Sequence, residues 1–342
     1  MHALVLEDFN TMTVQERPDP TAGPGEVLLA VLATGICGSD LHGFTGKTGR
    51  RVPGQIMGHE TVARVVSVGD DVHGLEVGAL ATLNPVVVPE REAAAWAGRE
   101  HHHPDKYVIG VRPDVVSAFA QLIVVPARNV VPLPTGMQPE HGALVEPVAV
   151  AVHAARRVDA SAATSALIVG GGPIGQSLVL TLARAGVTRI LVTEVDPARR
   201  DLIARLGATP LDPTSGPVSD QVRAALGDLA DVAFDAVGVS ATVADALSST
   251  RLGGAVCLVG MGQPRLDLDA FTISTMERSI VGSFTYSSDD FRAAVEIVAG
   301  APDIAAALIS RIVPLSEAPE AFTSLASGDG TPGKVLVRMS AT

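Results

Sequence analysis

The chain has 342 residues, enough for about two domains that each bury a core. Hydrophobic residues make up 47% of the sequence and charged residues 18%, which indicates a globular rather than a disordered protein. The net charge of −12 and the 3% aromatic content argue against nucleic-acid and anionic-membrane partners, because an acidic chain repels phosphate. The two cysteines, Cys37 and Cys257, are too few for a disulfide scaffold or a four-thiolate zinc module.

The first part of the sequence has a pattern typical of β-strands. Glycine and proline clusters separate runs rich in Val, Leu and Ile at 27–35, 61–69 and 120–126. The charged segment 88–107 lacks this alternation and is expected to be an excursion from the β domain. It contains His101, His102 and His103, which we expect in a solvated loop rather than in a metal site, because adjacent side chains rarely converge on one ion.

The sequence pattern changes near residue 149. Short apolar runs alternate with helical segments, and this alternation predicts βαβ units in a parallel sheet. The predicted strands lie at 166–170, 189–196, 232–238, 255–260 and 279–284, with helices from Pro173 to Ala185 and through Leu206. Cys257 falls in one of these strands and is expected to be an inert, buried thiol.

The sequence offers no targeting or membrane segment that we recognise. The longest apolar stretch, 166–185, contains several glycines and a charged Arg184, which makes it a poor membrane span. The first residues lack the cationic region of a signal peptide. We therefore expect a cytoplasmic protein.

A dinucleotide-binding signal follows the run at 166–169. The segment 170–175 is a G-x-G-x-x-G motif between a predicted strand and a predicted helix, where glycines permit a tight turn, close approach to a pyrophosphate and close helix packing. Glu194 ends the next strand about 20 residues later, where an acid binds ribose hydroxyls and repels a 2′-phosphate. Glu194 therefore favours NAD over NADP. Arg199 and Arg200 just beyond it favour NADP, because they could bind its 2′-phosphate. The candidate cofactor residues are Gly170, Gly172, Pro173, Ile174, Gly175 and Glu194.

Candidate zinc ligands are spread over the first half of the chain. Cys37 lies in G-I-C-G-S-D-L-H, His59 and Glu60 lie in G-H-E, and Glu146 lies in L-V-E-P. A catalytic zinc site needs three protein ligands and an open fourth position, and thiolate, imidazole and carboxylate all suit zinc. Cys37, His59 and either Glu60 or Glu146 meet this requirement. The spacing alone leaves open an ordinary buried thiol and a loop histidine.

Taken together, these segments resemble the zinc-dependent medium-chain dehydrogenase/reductase superfamily from end to end. C-G-S-D-x-H at 37–42, G-H-E at 58–60 and E-P-x-A-V at 146–150 occur in that order, and the last is similar to the sorbitol (polyol) dehydrogenase branch. The resemblance implies an α/β fold with a GroES-like β-barrel catalytic domain over 1–148 and 287–342. A doubly wound Rossmann domain would be inserted at 149–286, with the active site in the cleft between them.

The resemblance also implies roles for individual residues. Cys37 and His59 would bind a catalytic zinc, with Glu60 or Glu146 as the third ligand, directly or through water. Ser39 would pass the substrate's hydroxyl proton outward, Asp40 would orient His59, and His42 would extend the relay beside the nicotinamide ribose. Lys334 is expected near the cofactor or the domain interface. Further implied cofactor contacts are Arg199, Val237, Val259 and Met261.

The sequence departs from the family in two places. The lobe after Asn84-Pro85, which often holds a structural zinc with four cysteines, has none, so we expect this zinc to be absent. Thr285 stands where polyol dehydrogenases often have Arg, which weakens the case for a sugar alcohol. Pocket-lining candidates are Phe44, Phe119, Phe284 and Tyr286.

The combined prediction is a zinc- and NAD-dependent dehydrogenase of a secondary alcohol in a small polyol, cyclitol or amino-cyclitol, assembled as a homodimer or homotetramer. A threonine-type or other amino-alcohol dehydrogenase is the alternative within the class, and the E-P-x-A-V segment argues against it. A zinc-free nucleotide-binding sensor is the alternative outside the class. The joint presence of Cys37, Ser39, His59 and Glu146 argues against a sensor.

Overall fold

The computed structural model describes residues 1–47 and 49–339. Contacts divide the chain into two compact units, Met1–Glu146 with Ser287–Thr342, and Pro147–Tyr286. The sequence-based boundaries were expected at 148/149 and 286/287. The strands in chain order are β1 (His2–Asp8), β2 (Thr11–Glu16), β3 (Glu26–Gly35), β4 (Glu60–Val68), β5 (Leu80–Leu83), β6 (Val86–Val87), β7 (Tyr107–Val108), β8 (Leu122–Pro126), β9 (Val130–Pro132), β10 (Ser165–Val169), β11 (Arg189–Thr193), β12 (Thr209–Leu211), β13 (Ala230–Asp235), β14 (Thr250–Leu258), β15 (Ser279–Gly282), β16 (Ile309–Pro314) and β17 (Lys334–Arg338).

Helices connect and cover these strands. In chain order they are α1 (Gly38–Phe44), α2 (Val145–Arg157), α3 (Pro173–Arg184), α4 (Pro197–Arg205), α5 (Val218–Leu226), α6 (Ser240–Ser248), α7 (Ala270–Ser274), α8 (Ser288–Ala299), α9 (Pro302–Leu308) and α10 (Ala318–Ala326). No helix among the described residues combines the length and the apolar character needed to cross a membrane.

The first unit is built on a seven-stranded sheet. Its strands run in the order β16-β17-β3-β4-β5-β9, and β8 also pairs with β3. β3 is antiparallel to both β4 and β17, and its last residue, Gly35, lies opposite Glu60 and Leu336. The end of β3 therefore lies beside the start of β4 on one side and the middle of β17 on the other.

Aromatic side chains fill the core of this unit. The ring of Phe322 on α10 packs against Phe44 at 5.7 Å and Phe119 at 5.4 Å between centroids. Phe44 and Phe119 are buried, as is Tyr286 in the second unit, so the prediction that these three residues line a substrate pocket is wrong. The apolar core takes up their rings, and a local sequence pattern does not distinguish core from pocket aromatics. Phe284 is half exposed.

The second unit is a parallel six-stranded sheet in the order β12-β11-β10-β13-β14-β15. The order runs outward in both directions from the adjacent strands β10 and β13, which is the doubly wound arrangement. All five residues of β10 are buried, as expected of a strand covered on both faces. In such sheets ligands bind at the carboxyl ends of the strands where the order reverses, here after Val169 and Asp235.

The segment 88–107 forms short 3₁₀ turns at Glu90–Glu92, Ala94–Trp96 and Glu100–His102. His103 is fully buried, and its ring packs edge-on against Trp96 at 4.8 Å. Its Nδ1 accepts the N–H of Asp105 at 2.9 Å, so the proton is on Nε2, which donates to Oε2 of Glu92 at 2.8 Å. His101 is also buried, whereas His102 is exposed.

The expectation of a solvated loop is therefore wrong for His101 and His103. The turns fold this lobe back on itself, so that Glu92 and Trp96 enclose His103. This enclosure depends on contacts across the lobe, which the charged and mixed sequence does not reveal.

Candidate functional site

Three side chains of metal-ligand type converge where β3 ends and β4 begins. The Sγ atom of Cys37, a ring nitrogen of His59 and a carboxylate oxygen of Glu60 all lie within 4.8 Å of one another. Cys37 caps α1 directly after β3, while Glu60 opens β4 opposite Gly35. Across the described part of the chain, no other group of three His, Cys, Asp or Glu side chains meets this distance criterion.

Glu60 lies across the backbone of Gly35. A Cβ atom at Gly35 would come 2.3 Å from Oε2 of Glu60, so a glycine is required for the carboxylate to reach this position. Lys334, at the start of β17, places its Nζ atom 2.7 Å from Oε1 and 2.6 Å from Oε2 of Glu60, and both side chains are buried. Sequence reasoning expected Lys334 near the cofactor or the domain interface, and the structure pairs it with a candidate metal ligand.

The surroundings of Lys334 keep its side chain protonated. Burial alone would lower the pKa of this ammonium group, but the charges of Glu60 and Cys37 outweigh that effect and raise the pKa above its usual value. Lys334 is therefore a cation at neutral pH, fixed against Glu60.

Asp40 lies behind His59, on the buried face of α1. Its Oδ2 accepts the N–H of Cys37 at 3.2 Å, and its Oδ1 lies 3.5 Å from Nδ1 of His59. Burial disfavours the imidazolium form of His59, but Asp40 and Cys37 outweigh it and, with Glu146, raise the pKa of His59 to about 10. Metal binding at neutral pH must then release this proton, because a ligating imidazole is neutral.

Glu146 occupies the first turn of α2 and is buried. It interacts electrostatically with His59 and Lys334, but it stands outside the set within 4.8 Å. The geometry thus favours Glu60 as the direct third ligand and leaves Glu146 in the surrounding layer.

The donor set and the local charge both fit zinc. Thiolate, imidazole and carboxylate are its usual protein ligands. The anionic groups gathered here are Cys37, Asp40, Glu60 and Glu146, and the buried cations are Arg51 and Lys334. With the thiol ionised and His59 neutral, as metal ligation requires, four negative and two positive charges leave a net charge of about −2 that one divalent cation balances. The pairing of Arg51 with Asp40 was not anticipated from the sequence.

Helix α1 presents two further predicted residues on its other face. Ser39 and His42 are both exposed and stand three residues apart, so they share one side of the helix, whereas Asp40 points inward. A hydroxyl and an imidazole in this arrangement can exchange protons with solvent.

The glycine loop of the second unit has the features of a pyrophosphate site. Gly170 has a φ of +101°, which permits the sharp turn out of β10. A Cβ atom at Gly175 would come 2.0 Å from the carbonyl oxygen of Gly170, so α3 packs against the loop only with glycine there. Nothing lies within 4 Å of a Cβ built on Gly172, and Pro173 and Ile174 open α3 beside it. The backbone is open to a phosphate at this point.

Glu194 follows β11 and is buried. Its Oε2 accepts the N–H of Gly171 at 3.0 Å and its Oε1 accepts the N–H of Asp196 at 2.9 Å. Nη1 of Arg199 lies 3.8 Å from Oε2 of Glu194, and Nη2 of Arg200 lies 3.1 Å from Asp212. Both arginines thus face carboxylates of the protein.

The other predicted cofactor contacts follow the neighbouring strands. Val237 comes after β13, and Val259 and Met261 come after β14. Val237 and Met261 are exposed, at 38% and 60%. Asp235, the last residue of β13, accepts hydrogen bonds from the N–H groups of Val237 and Gly238 at 3.1 and 2.9 Å. It therefore has a structural role in fixing the turn after β13.

Comparison with known proteins gives matches over both units. Residues 23–135 match the alcohol dehydrogenase GroES-like domain, and residues 173–300 match the zinc-binding dehydrogenase family. Sorbitol dehydrogenase of Arabidopsis thaliana is 34% identical over 295 residues, covering 83% of this chain and 80% of the relative.

Solved structures agree along almost the whole chain. 2R,3R-butanediol dehydrogenase from Bacillus subtilis is 27% identical, with a TM-score of 0.90 and 99% of each chain covered. A structure from Sinorhizobium meliloti 1021, described as a zinc-binding dehydrogenase bound to NADP, is 30% identical, with a TM-score of 0.87 and 98% of each chain covered.

Proposed function

Because this chain belongs to the zinc-dependent medium-chain dehydrogenases, in their sorbitol and polyol dehydrogenase branch, we propose that it oxidises a secondary alcohol with NAD as hydride acceptor. The observation that carries the proposal is the convergence of Cys37, His59 and Glu60 within 4.8 Å in the first unit. The open glycine loop at Gly172 in the second unit supports the cofactor.

Cys37, His59 and Glu60 would hold a single catalytic zinc. When bound, this ion would supply Lewis-acid polarisation of the alcohol oxygen and so favour loss of the hydroxyl proton. Lys334 orients Glu60, and Asp40 orients the imidazole of His59. Glu146 adds negative charge that holds a cation at this place.

The proton of the alcohol would leave along the exposed face of α1. Ser39 accepts it at the hydroxyl, and His42 transfers it to solvent, since both side chains are exposed on the same side of the helix. Replacing Ser39 with alanine should lower kcat by about 100-fold or more without changing NAD affinity. Wild-type turnover in this variant would remove Ser39 from the relay.

The proposed cofactor is NAD, and residues of the second unit support this choice. The pyrophosphate would bind the backbone of the glycine loop and the start of α3, where Gly172 leaves space. The buried carboxylate of Glu194 lies at the end of β11 and opposes a 2′-phosphate, and Arg199 and Arg200 already face Glu194 and Asp212. A nicotinamide in this unit would supply the hydride acceptor.

The substrate class proposed is a small polyol, cyclitol or amino-cyclitol. The relatives named above act on sorbitol and butanediol, according to their names. We expect a homodimer or homotetramer by analogy with the superfamily, in the cytoplasm, where a free thiolate ligand stays reduced.

The test is NADH formation, followed by absorbance, with sorbitol, xylitol, an inositol, an amino-inositol, 2,3-butanediol and threonine. The zinc-loaded protein should reduce NAD with at least one polyol or cyclitol. Cys37→Ser should abolish this turnover, while the matched variant Cys257→Ser should keep it, because Cys257 is buried in β14. Turnover only with threonine would contradict the substrate class, and full activity of Cys37→Ser would contradict the zinc mechanism.

A further inference from the structure

A buried arginine stands behind the candidate metal site. The side chain of Arg51 is 2% exposed, and its Nη2 lies 3.5 Å from Oδ1 of Asp40, which is itself fully buried. The same Oδ1 atom lies 3.5 Å from Nδ1 of His59. Arg51, Asp40 and His59 therefore form a chain of polar groups that ends at a candidate zinc ligand.

The fold makes room for this arginine at one specific position. A Cβ atom on Gly43 of α1 would come 2.3 Å from Cγ and 3.1 Å from Cβ of Arg51. The aliphatic stem of Arg51 thus passes over α1 where the helix has no side chain. The arginine reaches the carboxylate because Asp40 and Gly43 share the buried face of the helix.

Asp40 needs a cation at this place. A buried carboxylate is costly unless it is paired and hydrogen-bonded. The other buried lysine or arginine near the site, Lys334, is bound to Glu60. The backbone N–H of Cys37 donates a hydrogen bond to Oδ2 of Asp40. Oδ1 is the oxygen that faces Arg51 and His59.

We propose that Arg51 is a positioning residue for zinc binding, which fixes the imidazole of His59 through Asp40. Removing the guanidinium frees the carboxylate to rotate, and the imidazole then loses the orientation that directs its other nitrogen at the metal. The inference rests on the proposed zinc site and adds a residue outside the three motifs on which the family resemblance was based.

The test measures zinc affinity of metal-depleted protein by competition with a chromophoric chelator. Arg51→Met, which keeps the stem and removes the charge, should weaken zinc binding by about tenfold. It should also shift the visible absorption spectrum of the cobalt-substituted protein, which reports ligand geometry. Arg51→Lys, which keeps the charge, should recover part of the affinity. Wild-type affinity and an unchanged cobalt spectrum in Arg51→Met would overturn the inference.

A matched control separates positioning from loss of stability. Arg278 is also buried, in the second unit, where it donates to the carbonyl groups of Thr250 and Thr272. Arg278→Met should destabilise the protein yet leave zinc affinity unchanged. Equal loss of zinc affinity in both variants would overturn the inference, because the effect would then follow general destabilisation.

A double-mutant cycle tests the path through Asp40. In an Asp40→Asn background, Arg51→Met should change zinc affinity by less than twofold, since the carboxylate it acts on is gone. A full tenfold loss in that background would overturn the path. If Arg51→Met does not fold, Gly43→Ala displaces the arginine stem instead, and unchanged zinc affinity there would overturn the inference.

The same data separate this inference from the proposed function. If the wild-type protein binds zinc and Cys37→Ser does not, the site exists, and the arginine variants decide the role of Arg51. If the wild-type protein binds zinc no better than Cys37→Ser, the zinc site and the role of Arg51 both fail.

Discussion

Lys334 and Glu60 form a buried ion pair in which Nζ lies 2.7 Å from Oε1 and 2.6 Å from Oε2. The two residues are 274 positions apart in sequence. They meet because β17 and β4 both pair with β3: Glu60 lies opposite Gly35, and Lys334 lies two residues before Leu336, which is the partner of Gly35 in β17. The pair places a positive charge beside a candidate metal ligand, and the proposed zinc would share the carboxylate of Glu60 with Lys334.

Replacing Lys334 with methionine should destabilise the metal-free protein more than the zinc-loaded protein. Removing one partner of a buried pair leaves the other uncompensated, at a cost of about 3–5 kcal/mol. Zinc restores a positive charge beside Glu60, so the stabilisation conferred by zinc should increase. Thermal midpoints with and without zinc measure this, with Lys47→Met, which changes an exposed lysine, as the control. Equal destabilisation of both forms of Lys334→Met would contradict the sharing of Glu60.

Glu194→Gln should move cofactor preference towards NADP. Removing the carboxylate at the end of β11 removes its repulsion of a 2′-phosphate and releases Arg199 from its carboxylate neighbour. We expect the ratio of kcat/KM for NADP to that for NAD to rise about tenfold, equivalent to about 1.4 kcal/mol. The control is Asp201→Asn, which removes an exposed negative charge from α4, the helix that carries Arg199. An unchanged ratio in Glu194→Gln would show that this residue does not select the cofactor.

Asp231→Asn should lower stability at neutral pH by about 1–3 kcal/mol. Burial opposes ionisation of Asp231, but hydrogen bonds from Thr164 and Ser165 outweigh it and lower the pKa of this carboxyl to about 2. Since the pKa is lower in the folded chain, the stabilisation is complete above the unfolded value near 4. It is lost as the pH falls towards 2.

The difference in thermal midpoint between wild type and Asp231→Asn should therefore shrink between pH 4 and pH 2. Asp228→Asn, an exposed neighbour, provides the control. A difference that stays constant over this range would mean that the charge of Asp231 is not what stabilises the fold.

His103→Leu should destabilise the lobe at 88–107 without any involvement of metal. The ring of His103 is hydrogen-bonded to Glu92 and Asp105 and packs against Trp96. These contacts hold together a lobe that has no cysteines to bind a structural zinc. Loss of these hydrogen bonds should cost about 1–3 kcal/mol and speed proteolysis within the lobe. The adjacent exposed residue gives a matched control, His102→Leu. Lobe proteolysis of the wild type that accelerates on zinc chelation would contradict this account.

Much of the fold follows from local pattern. The alternation of strands and helices after residue 149 predicts the parallel sheet, and the glycines at 170–175 predict the turn between β10 and α3, because short-range sterics fix both. The zinc site at Cys37, His59 and Glu60 or Glu146 was instead implied by the family resemblance, because spacing alone left a buried thiol and a loop histidine open. The structure brings Cys37, His59 and Glu60 together.

Other features depend on contacts between distant segments. The pairing of Lys334 with Glu60 follows from strand register, and that of Arg51 with Asp40 depends on the gap at Gly43. The burial of His103 depends on Trp96 folding back across the lobe. None of these has a periodic or motif signature, so sequence reasoning did not anticipate the pairing of Lys334 with Glu60 and wrongly placed His103 in a solvated loop.

The most direct test of the account is the zinc content of the wild-type protein after zinc reconstitution and removal of free metal. We expect about one zinc ion per chain in the wild type and in Cys257→Ser, and none above background in Cys37→Ser. Zinc that stays bound to Cys37→Ser, or a wild type that binds none, would contradict the assignment of Cys37, His59 and Glu60 as the catalytic metal site.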